Sequence, residues 1–318
     1  MSHPYDREVA PVIPYLPRVD VADVDGTRAG LAAAASAAPS FEPGPGVRIE
    51  ARTAPGLDGA PPVDVYVVTP TAPADGPRPA LVWLHGGGFV IGDAAESLPF
   101  LCRAAQEAGT VGVSVQYRLA PETAFPGAFD DARAALAWVA TEAGELGVDA
   151  GRIAVGGQSA GGALAAGLAL HDRDTGARRV AFQLLDIPVV DDRIDTESMR
   201  DYPDALLWHR RNAELSWAGY LAGAPATPYA APGRATDLRG LPPAFITVNQ
   251  FDPLRDEGLE YARRLAHADV PTEVHMYAGT FHGSSGVAVS AAVSQRQNSD
   301  LCAALARAVT AIAEEAHA

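Results

Sequence analysis

Lysine is absent from this sequence of 318 residues, so all 24 basic residues are arginine. Without lysine the chain has no Gly-Lys-Ser/Thr phosphate loop and no side chain that forms a Schiff base, which excludes two classes of enzyme. The 39 acidic residues outnumber the arginines, and the formal net charge is -15. A chain this acidic, without a basic run, has little attraction for nucleic-acid backbones or anionic lipids. We therefore predict no nucleic-acid or membrane partner, and a small molecule as substrate.

Cysteine is scarce as well, because only Cys102 and Cys302 are present. Two cysteines in Ala-rich, helical segments are typical of buried reduced thiols rather than of a disulfide framework. No apolar run has the length of a transmembrane helix, and residues 1–17 do not resemble a signal peptide, which predicts a cytoplasmic protein. Neither a metal-ligand spacing nor a G-x-G-x-x-G motif is present. We therefore predict no metal and no cofactor.

Short apolar runs alternate with helical patterns through most of the chain. Strand patterns fall at residues 47–53, 63–69, 80–84, 111–115, 153–155, 180–187, 244–248 and 272–277. Helical patterns fall at 27–38, 98–108, 129–142, 160–171, 254–268 and 291–316. This alternation predicts an α/β fold, with a mostly parallel eight-stranded sheet covered by helices on both faces.

Two segments fall outside this alternation and predict a cap over a catalytic domain of residues 46–318. Residues 1–45 are broken by several prolines, which indicates an N-terminal cap arm. Residues 191–233 contain Trp208 and Trp217 but no strand pattern, and so long an insertion in a compact sheet is usually functional. We expect this insertion to form a lid. The alternative is a structural helical insertion that never meets substrate.

The strongest motif is G-Q-S-A-G at residues 157–161, which follows an apolar run and opens a helical pattern. A strand that turns sharply into a helix pushes the central side chain out at the end of the sheet. Glycines on both sides leave room for the neighbouring backbone in so tight a turn. The N-terminus of the helix also favours negative charge near the serine oxygen. These features predict Ser159 as a catalytic nucleophile.

A second motif, H-G-G-G at residues 85–88, directly follows the apolar run at 80–84. Acyl transfer develops negative charge on a carbonyl oxygen, and two or three fixed N–H donors stabilise that charge. Consecutive glycines let backbone N–H groups face a site without side chains in the way. We predict that the N–H groups of Gly86, Gly87 and Ala160 form an oxyanion hole. The alternative for the glycines is a flexible turn.

A serine nucleophile needs a base, and the base needs an acid that orients it. After a serine on this kind of turn, the acid and then the histidine come in chain order, each on a loop behind a strand. Asp252 follows the run at 244–248, and His282 follows the run at 272–277. We therefore predict Asp252 as the acid and His282 as the base.

Other titratable residues compete for these two roles. His275 falls within the last strand pattern and is expected to pack in the sheet. His85 is expected to hold the glycine loop by hydrogen bonds rather than to transfer protons. Asp256 and Glu257 lie one helical turn beyond Asp252, so their side chains are expected to face solvent or neighbouring loops.

Together with a Y-R-L-A-P-E run and a D-P-L-R-D-E run, these motifs resemble those of the bacterial hormone-sensitive-lipase-like esterases. The matching segments lie, in the family's order, at residues 85–88, 117–122, 157–162 and 252–257. The resemblance implies a capped α/β-hydrolase that cleaves short-acyl carboxylic esters without a cofactor. It assigns Ser159, Asp252 and His282 to the triad, and it implies a cap built from an N-terminal arm and an insertion after the sixth strand.

The sequence departs from this family in two places. Gln158 stands where the family usually has aspartate, and Asn249 and Gln250 replace the small and acidic residues that usually precede the catalytic acid. Neither change removes a catalytic atom. We expect Gln158 to alter the hydrogen bonds around the serine and, through them, efficiency and substrate preference.

The prediction is thus a carboxylesterase that works through an acyl-enzyme intermediate. Lactonases, amidases and peptidases use the same triad, so the motifs leave these alternatives open. A non-catalytic ligand receptor on the same fold is a further alternative. Phe89, Trp208 and Trp217 are interpreted as lining the substrate site, although each residue type also suits a core. A homodimer is a further expectation, because dimers are common in the resembled family.

Overall fold

The computed structural model describes residues 3–37 and 41–316, which form an eight-stranded sheet between two layers of helices. The strands are β1 (Val47–Ala54), β2 (Val63–Pro70), β3 (Arg78–Leu84), β4 (Val111–Val115), β5 (Val148–Gln158), β6 (Val180–Asp186), β7 (Ala244–Phe251) and β8 (Thr272–Phe281). Their order across the sheet is β1-β2-β4-β3-β5-β6-β7-β8. β2 pairs antiparallel with β1 and β4, and the remaining neighbours are parallel. The predicted mostly parallel α/β sheet is confirmed.

The helices alternate with the strands along the chain. They are α1 (Val24–Ala37), α2 (Leu98–Ala108), α3 (Gly127–Thr141), α4 (Ala143–Leu146), α5 (Ala160–Asp174), α6 (Glu197–Asp201), α7 (Arg210–Leu221), α8 (Arg255–His267), α9 (Ser284–Val287) and α10 (Ala292–Ala316). The predicted helix at 27–38 corresponds to α1, and its last predicted residue lies outside the described part of the chain.

The alternation of side chains along β3 explains how one strand serves two helical layers. Val82 and Leu84 point into the larger core, which α3, α5 and α8 cover, whereas Leu81 and Trp83 point into a second core under α2 and α10. Every residue of β4 and all but the first of β3 are buried. Strands covered on both faces need continuous apolar runs, which is why these two strands were visible in the sequence.

Residues from the predicted N-terminal arm contact the predicted insertion and the loops at the carboxyl edge of the sheet. The amide side chain of Asn212 in α7 accepts a hydrogen bond from the backbone of Val21 and donates one to Val19. Arg28 in α1 donates to the backbone oxygens of Val90 and Ala120, which follow β3 and β4. The division into an arm at 1–45, a domain at 46–318 and an insertion at 191–233 stays a prediction.

The structure also bears on the expectations about the two cysteines and about membrane-spanning helices. Cys102 and Cys302 are buried free thiols, as predicted. Within residues 3–37 and 41–316, no helix combines the length and the apolar character that a membrane span requires.

Candidate active site

Ser159 sits on a strained turn between β5 and α5. Its backbone has φ 55° and ψ -115°, a conformation that residues with a Cβ rarely adopt. A Cβ on Gly157 would lie 2.3 Å from the carbonyl carbon of Gly161, and one on Gly161 would lie 1.9 Å from the backbone oxygen of Leu84. Both glycines are therefore required for the turn to fit against β3. The turn presents the hydroxyl of Ser159 at the carboxyl edge of the sheet.

Three side chains predicted from distant parts of the sequence come together at this edge. His282 Nε2 lies 2.9 Å from Ser159 Oγ, and His282 Nδ1 lies 2.8 Å from Asp252 Oδ2. Because a carboxylate oxygen accepts, Nδ1 carries the proton, and Nε2 presents its lone pair to the serine hydroxyl. All three side chains are buried, and Asp252 is 1% exposed. The arrangement can move a proton from serine to histidine.

The loops after β7 and β8 hold the acid and the histidine through residues on β7. Asn249 donates a side-chain hydrogen bond to the backbone oxygen of Phe281, one residue before the histidine. Gln250 accepts one from the backbone of Gly279. Asp252 is itself fixed by the N–H of Leu254, 2.8 Å from Oδ1. The two amide residues that depart from the family pattern thus fasten the end of β8, which carries the histidine.

The glycine loop after β3 and the start of α5 adjoin the same region. A Cβ on Gly86 would lie 3.6 Å from the Cβ of Ser159, so the glycine loop passes directly beside the serine. Gly87 has φ 113°, and a Cβ there would lie 2.1 Å from the backbone oxygen of Ile91. Ala160 is the first residue of α5. No described residue accepts a hydrogen bond from the N–H of Gly86, Gly87 or Ala160, so these donors are available to a ligand.

The residues that form this geometry lie within a stretch that matches a known family. A family model described as alpha/beta hydrolase fold matches residues 81–285, which is more than half of the chain. The chain belongs to the α/β-hydrolase fold family. This assignment agrees with the strand order and with the strand–serine–helix turn described above.

Several curated relatives and solved structures similar to this α/β-hydrolase are named esterases. It is 43% identical over 225 residues to Esterase LipI of Mycobacterium tuberculosis, which covers 69% of each chain. It is 38% identical over 273 residues to Carboxylesterase NlhH of the same species, which covers 84% of this chain and 85% of the relative. A structure titled Bacterial Heroin Esterase has a TM-score of 0.91 at 48% identity, covering 96% of this chain and 98% of that one. The resemblance to hormone-sensitive-lipase-like esterases is confirmed, and this α/β-hydrolase is a carboxylesterase.

In this α/β-hydrolase, His85 contacts the glycine loop by a hydrogen bond, as the sequence predicted. Its Nδ1 donates to the backbone oxygen of Gly86 at 2.7 Å, and its ring stacks on Tyr117 with centroids 4.1 Å apart. The Tyr117 hydroxyl donates to the backbone oxygen of His85. Burial lowers the pKa of His85 to about 4, so the ring is neutral near pH 7. These contacts hold the glycine loop beside Ser159.

The three aromatic residues predicted to bind substrate occupy two different environments. The ring centroids of Trp208 and His282 lie 6.3 Å apart. A Cβ added to Gly88 would lie 2.1 Å from Trp208 Cη2, so the tryptophan packs directly on the glycine loop. Phe89 and Trp217 pack instead with Tyr220 in an aromatic cluster, where Phe89 stacks on Tyr220 at 3.9 Å. Trp208 thus adjoins the reacting side chains. The roles of all three residues toward substrate stay predictions.

The rival residues His275 and Glu257 contact other elements of the fold. His275 lies in β8, as predicted, with its ring centroid 4.9 Å from that of Phe245 in β7; its side chain is 37% exposed and lies between the carboxylates of Glu273 and Asp300. Glu257 faces a neighbouring loop, the second of the two predicted alternatives: it is 3% exposed and accepts hydrogen bonds from the N–H groups of Val190 and Asp191. The chain after β6 runs across α8 at this point and covers a position that helical spacing alone would leave exposed.

A buried polar network under the serine turn has no counterpart in the sequence interpretation. Asp186, at the end of β6, accepts hydrogen bonds from Gln158 Nε2 at 2.8 Å, Gln297 Nε2 at 2.7 Å and Thr247 Oγ1 at 2.5 Å. The backbone oxygen of Asp186 also accepts from the N–H of Ser159. Asp186 could have been predicted as part of this network, because it is an acidic residue at the end of the strand beside the serine strand. Gln297 could not, because it lies too far away in sequence to be connected with Asp186.

No group of three or more His, Cys, Asp or Glu side chains in the described ranges has the arrangement of a metal site. The absence of a metal and of a cofactor from the reaction stays a prediction.

Proposed function

We propose that this chain hydrolyses short-acyl carboxylic esters by nucleophilic catalysis, with Ser159 as nucleophile, His282 as base and Asp252 as the acid that orients it. One observation carries the proposal: the line of hydrogen bonds from Ser159 Oγ through both ring nitrogens of His282 to Asp252, with distances of 2.9 and 2.8 Å. These distances lie within the range that proton transfer between positioned groups requires.

In the first half of the reaction, Ser159 Oγ attacks the ester carbonyl carbon while His282 Nε2 takes the hydroxyl proton. The negative charge that develops on the carbonyl oxygen is stabilised by the N–H groups of Gly86, Gly87 and Ala160. Collapse of this intermediate breaks the bond to the alcohol, which leaves with the proton from His282. The acyl group is then bound to the serine oxygen.

In the second half, a water molecule attacks the acyl carbon and gives its proton to His282. The carboxylic acid leaves, and the proton returns to Ser159. Asp252 keeps the proton of His282 on Nδ1 throughout and stabilises the positive charge that the ring carries between steps. The preference for short acyl groups rests on the resemblance to the family, as does the choice of esters over lactones and amides.

Removal of the serine hydroxyl tests the proposal directly. Ser159→Ala is expected to lower kcat/KM for p-nitrophenyl butyrate by at least about 10³-fold, because it removes the attacking atom. Ser294→Ala is a matched control, since Ser294 is also buried but lies in α10. The control is expected to keep the activity of the wild type.

Two further measurements define the reaction class. A fluorophosphonate probe is expected to label the wild type and not Ser159→Ala, whereas a receptor without catalysis would not be labelled. A chain-length series of p-nitrophenyl esters, run beside lactones and anilides, is expected to favour short-acyl esters. Near-normal turnover by Ser159→Ala would contradict the nucleophile assignment, and faster turnover of a lactone or an amide would contradict the substrate class.

A further inference from the structure

A cleft of about 490 Å³ opens between the glycine loop after β3 and the first turns of α10. Gly86 and Gln158 both line it. Because the glycine loop passes within contact distance of the serine, an ester held at Ser159 has this cleft next to its carbonyl group. The cleft is large enough to receive one of the two halves of a small ester.

The amide group of Gln158 has a fixed orientation at the wall of this cleft. The hydroxyl of Thr247 accepts from the N–H of Ile187, so its own proton points to Asp186 Oδ1. Asp186 therefore acts as a hydrogen-bond acceptor, and its Oδ2 accepts a hydrogen bond from Gln158 Nε2. The other end of the amide, Oε1, lies 3.4 Å from the position of a Cβ on Gly86. No described residue donates to Oε1, so a hydrogen-bond acceptor is presented beside the oxyanion loop.

The charges around the cleft favour a cationic ligand. Arg103 is the cationic side chain among the described lining residues, and it is occupied by Glu107, Gln295 and Ser299. Glu96 lines the exposed rim and pairs with no described cation. An ammonium group in the cleft would meet an uncompensated carboxylate at the rim and an amide oxygen near the serine.

From this geometry we propose that Gln158 is a specificity-determining residue: its Oε1 accepts a hydrogen bond from the half of the ester that occupies the cleft. The favoured substrates are esters that carry a protonated secondary or tertiary amine, with Glu96 contributing to the charge. The inference rests on the proposed function, because it concerns substrates of the same serine.

Two pairs of acetate esters separate the hydrogen bond from the charge. Dimethylaminoethyl acetate carries a protonated amine with an N–H, and isoamyl acetate is its neutral isostere. Acetylcholine carries a cation without an N–H, and neohexyl acetate is its neutral isostere. After division by each ester's rate of alkaline hydrolysis, the kcat/KM ratio of the first pair is expected to exceed that of the second by about three- to tenfold, the range of a single hydrogen bond. Equivalent pairs of p-nitrophenyl esters, with the amine in the acyl group, test whether the acyl half of the ester occupies the cleft.

Variants then assign the effect to Gln158. Gln158→Met has nearly the same shape but no acceptor, so it is expected to bring the ratio of the first pair down to that of the second. Gln297→Met is the matched control, because it removes another donor from Asp186 without changing the lining of the cleft. Glu96→Gln is expected to lower both ratios. Each ratio compares two substrates on one protein, so partial misfolding of a variant cancels out.

The outcomes are distinct from those that test the proposed function. A loss of selectivity in only the alcohol arm or only the acyl arm supports the proposal and identifies the half that enters the cleft. Equal ratios for the two pairs in the wild type, in both arms, would overturn the proposal. A fall in the ratio of the first pair that is as large in Gln297→Met as in Gln158→Met would also overturn it. In either case Ser159→Ala would still be inactive, so ester hydrolysis by the triad would stand. Activity in Ser159→Ala would instead remove the proposed function itself.

Discussion

At the scale of single residues, the site depends on backbone strain at Ser159 and on the orientation of the Asp252 and His282 side chains. Ser159 has a positive φ, which costs of the order of 1–3 kcal/mol for a residue with a Cβ and persists only where the surroundings enforce it. Here Gly157 and Gly161 remove the side chains that would collide, and Asp186 and Val189 bond the serine backbone on both sides. The strain is thus supported locally, at the residue whose oxygen is to react.

Asp252→Asn is expected to lower kcat for p-nitrophenyl butyrate by about 10³- to 10⁴-fold at neutral pH. The N–H of Leu254 holds one side-chain oxygen, so the asparagine places its amide nitrogen toward His282 Nδ1. Nδ1 must then accept, the ring proton moves to Nε2, and the histidine is no longer able to take the serine proton. Steady-state rates with a check of folding by circular dichroism measure this effect.

The neighbouring acid supplies the control for that substitution. Asp256 pairs with Arg255 and accepts from the N–H of Ser198, without contact to the histidine. Asp256→Asn is therefore expected to keep kcat within about tenfold of the wild type, since an exposed or partly exposed pair contributes little. The acid assignment is wrong if Asp256→Asn loses activity while Asp252→Asn keeps it.

At the scale of elements, α8 fastens both ends of the insertion that follows β6. Glu257, in its first turn, accepts from the N–H groups of Val190 and Asp191, where the insertion begins. Arg264, two turns later, donates to the backbone oxygen of Gly233, where the insertion ends. Because α8 also follows the loop that carries Asp252, one helix links the placement of that loop to the placement of the insertion.

Glu257→Gln is expected to make stability less dependent on pH. Burial raises the pKa of the Glu257 carboxyl well above its usual value, with the charges of Asp191 and Asp252 adding to the effect. Between the usual and the raised pKa, the native state keeps a proton that the unfolded chain has lost, so stability falls as pH rises, by up to about 1.4 kcal/mol per pH unit. Glutamine retains an acceptor oxygen and does not ionise.

Urea unfolding of both proteins from about pH 5 to about pH 8 checks this expectation. The free energy of unfolding of Glu257→Gln, relative to the wild type, is expected to increase over that range. Glu260→Gln serves as the control, because Glu260 lies on the same helix but is exposed and paired with Arg263. A difference between Glu257→Gln and wild type that stays constant with pH would show that the carboxyl is already ionised in the native state.

The elements that the sequence predicted best are those whose burial is uniform. β4 and α2 have the predicted bounds, because every residue of β4 is buried and α2 has one strongly apolar face. β5 is longer than predicted, since residues 149–152 are partly or fully exposed and interrupt the apolar pattern although they continue the strand. β7 and β8 also extend beyond their apolar runs, where Asn249 and Gln250 bond the end of β8, and no apolar pattern marks such residues.

At the scale of the whole molecule, the meeting of the serine, the acid and the histidine was predictable because the fold gives each of them a fixed place. A parallel sheet brings the loops after its strands to one edge, so a serine, an acid and a histidine behind successive strands meet there. The network at Asp186 was not predictable in this way. It joins β6, β7, the serine turn and α10, and its members have no common motif, only a common location under the serine.

Among the described strands, β8 pairs on one side only, with β7, which bears on the predicted homodimer. Val274 and Met276 alternate along this strand and are 40% and 55% exposed. An edge strand with exposed apolar side chains is a template for pairing with another chain. Two copies of one strand pair antiparallel about a two-fold axis, which gives a closed dimer.

We therefore expect the chain to form a dimer in solution through β8, and Met276→Lys to weaken it by at least about tenfold in Kd, because a charge at the strand pair loses its hydration. Sedimentation equilibrium over a concentration series measures the Kd of both proteins. Phe41→Lys is the control, since Phe41 is a large apolar side chain that is 44% exposed but precedes β1, the strand at the opposite edge of the sheet. A monomeric wild type, or equal weakening by both substitutions, would contradict pairing at this edge and leave β8 as a solvent-exposed edge strand.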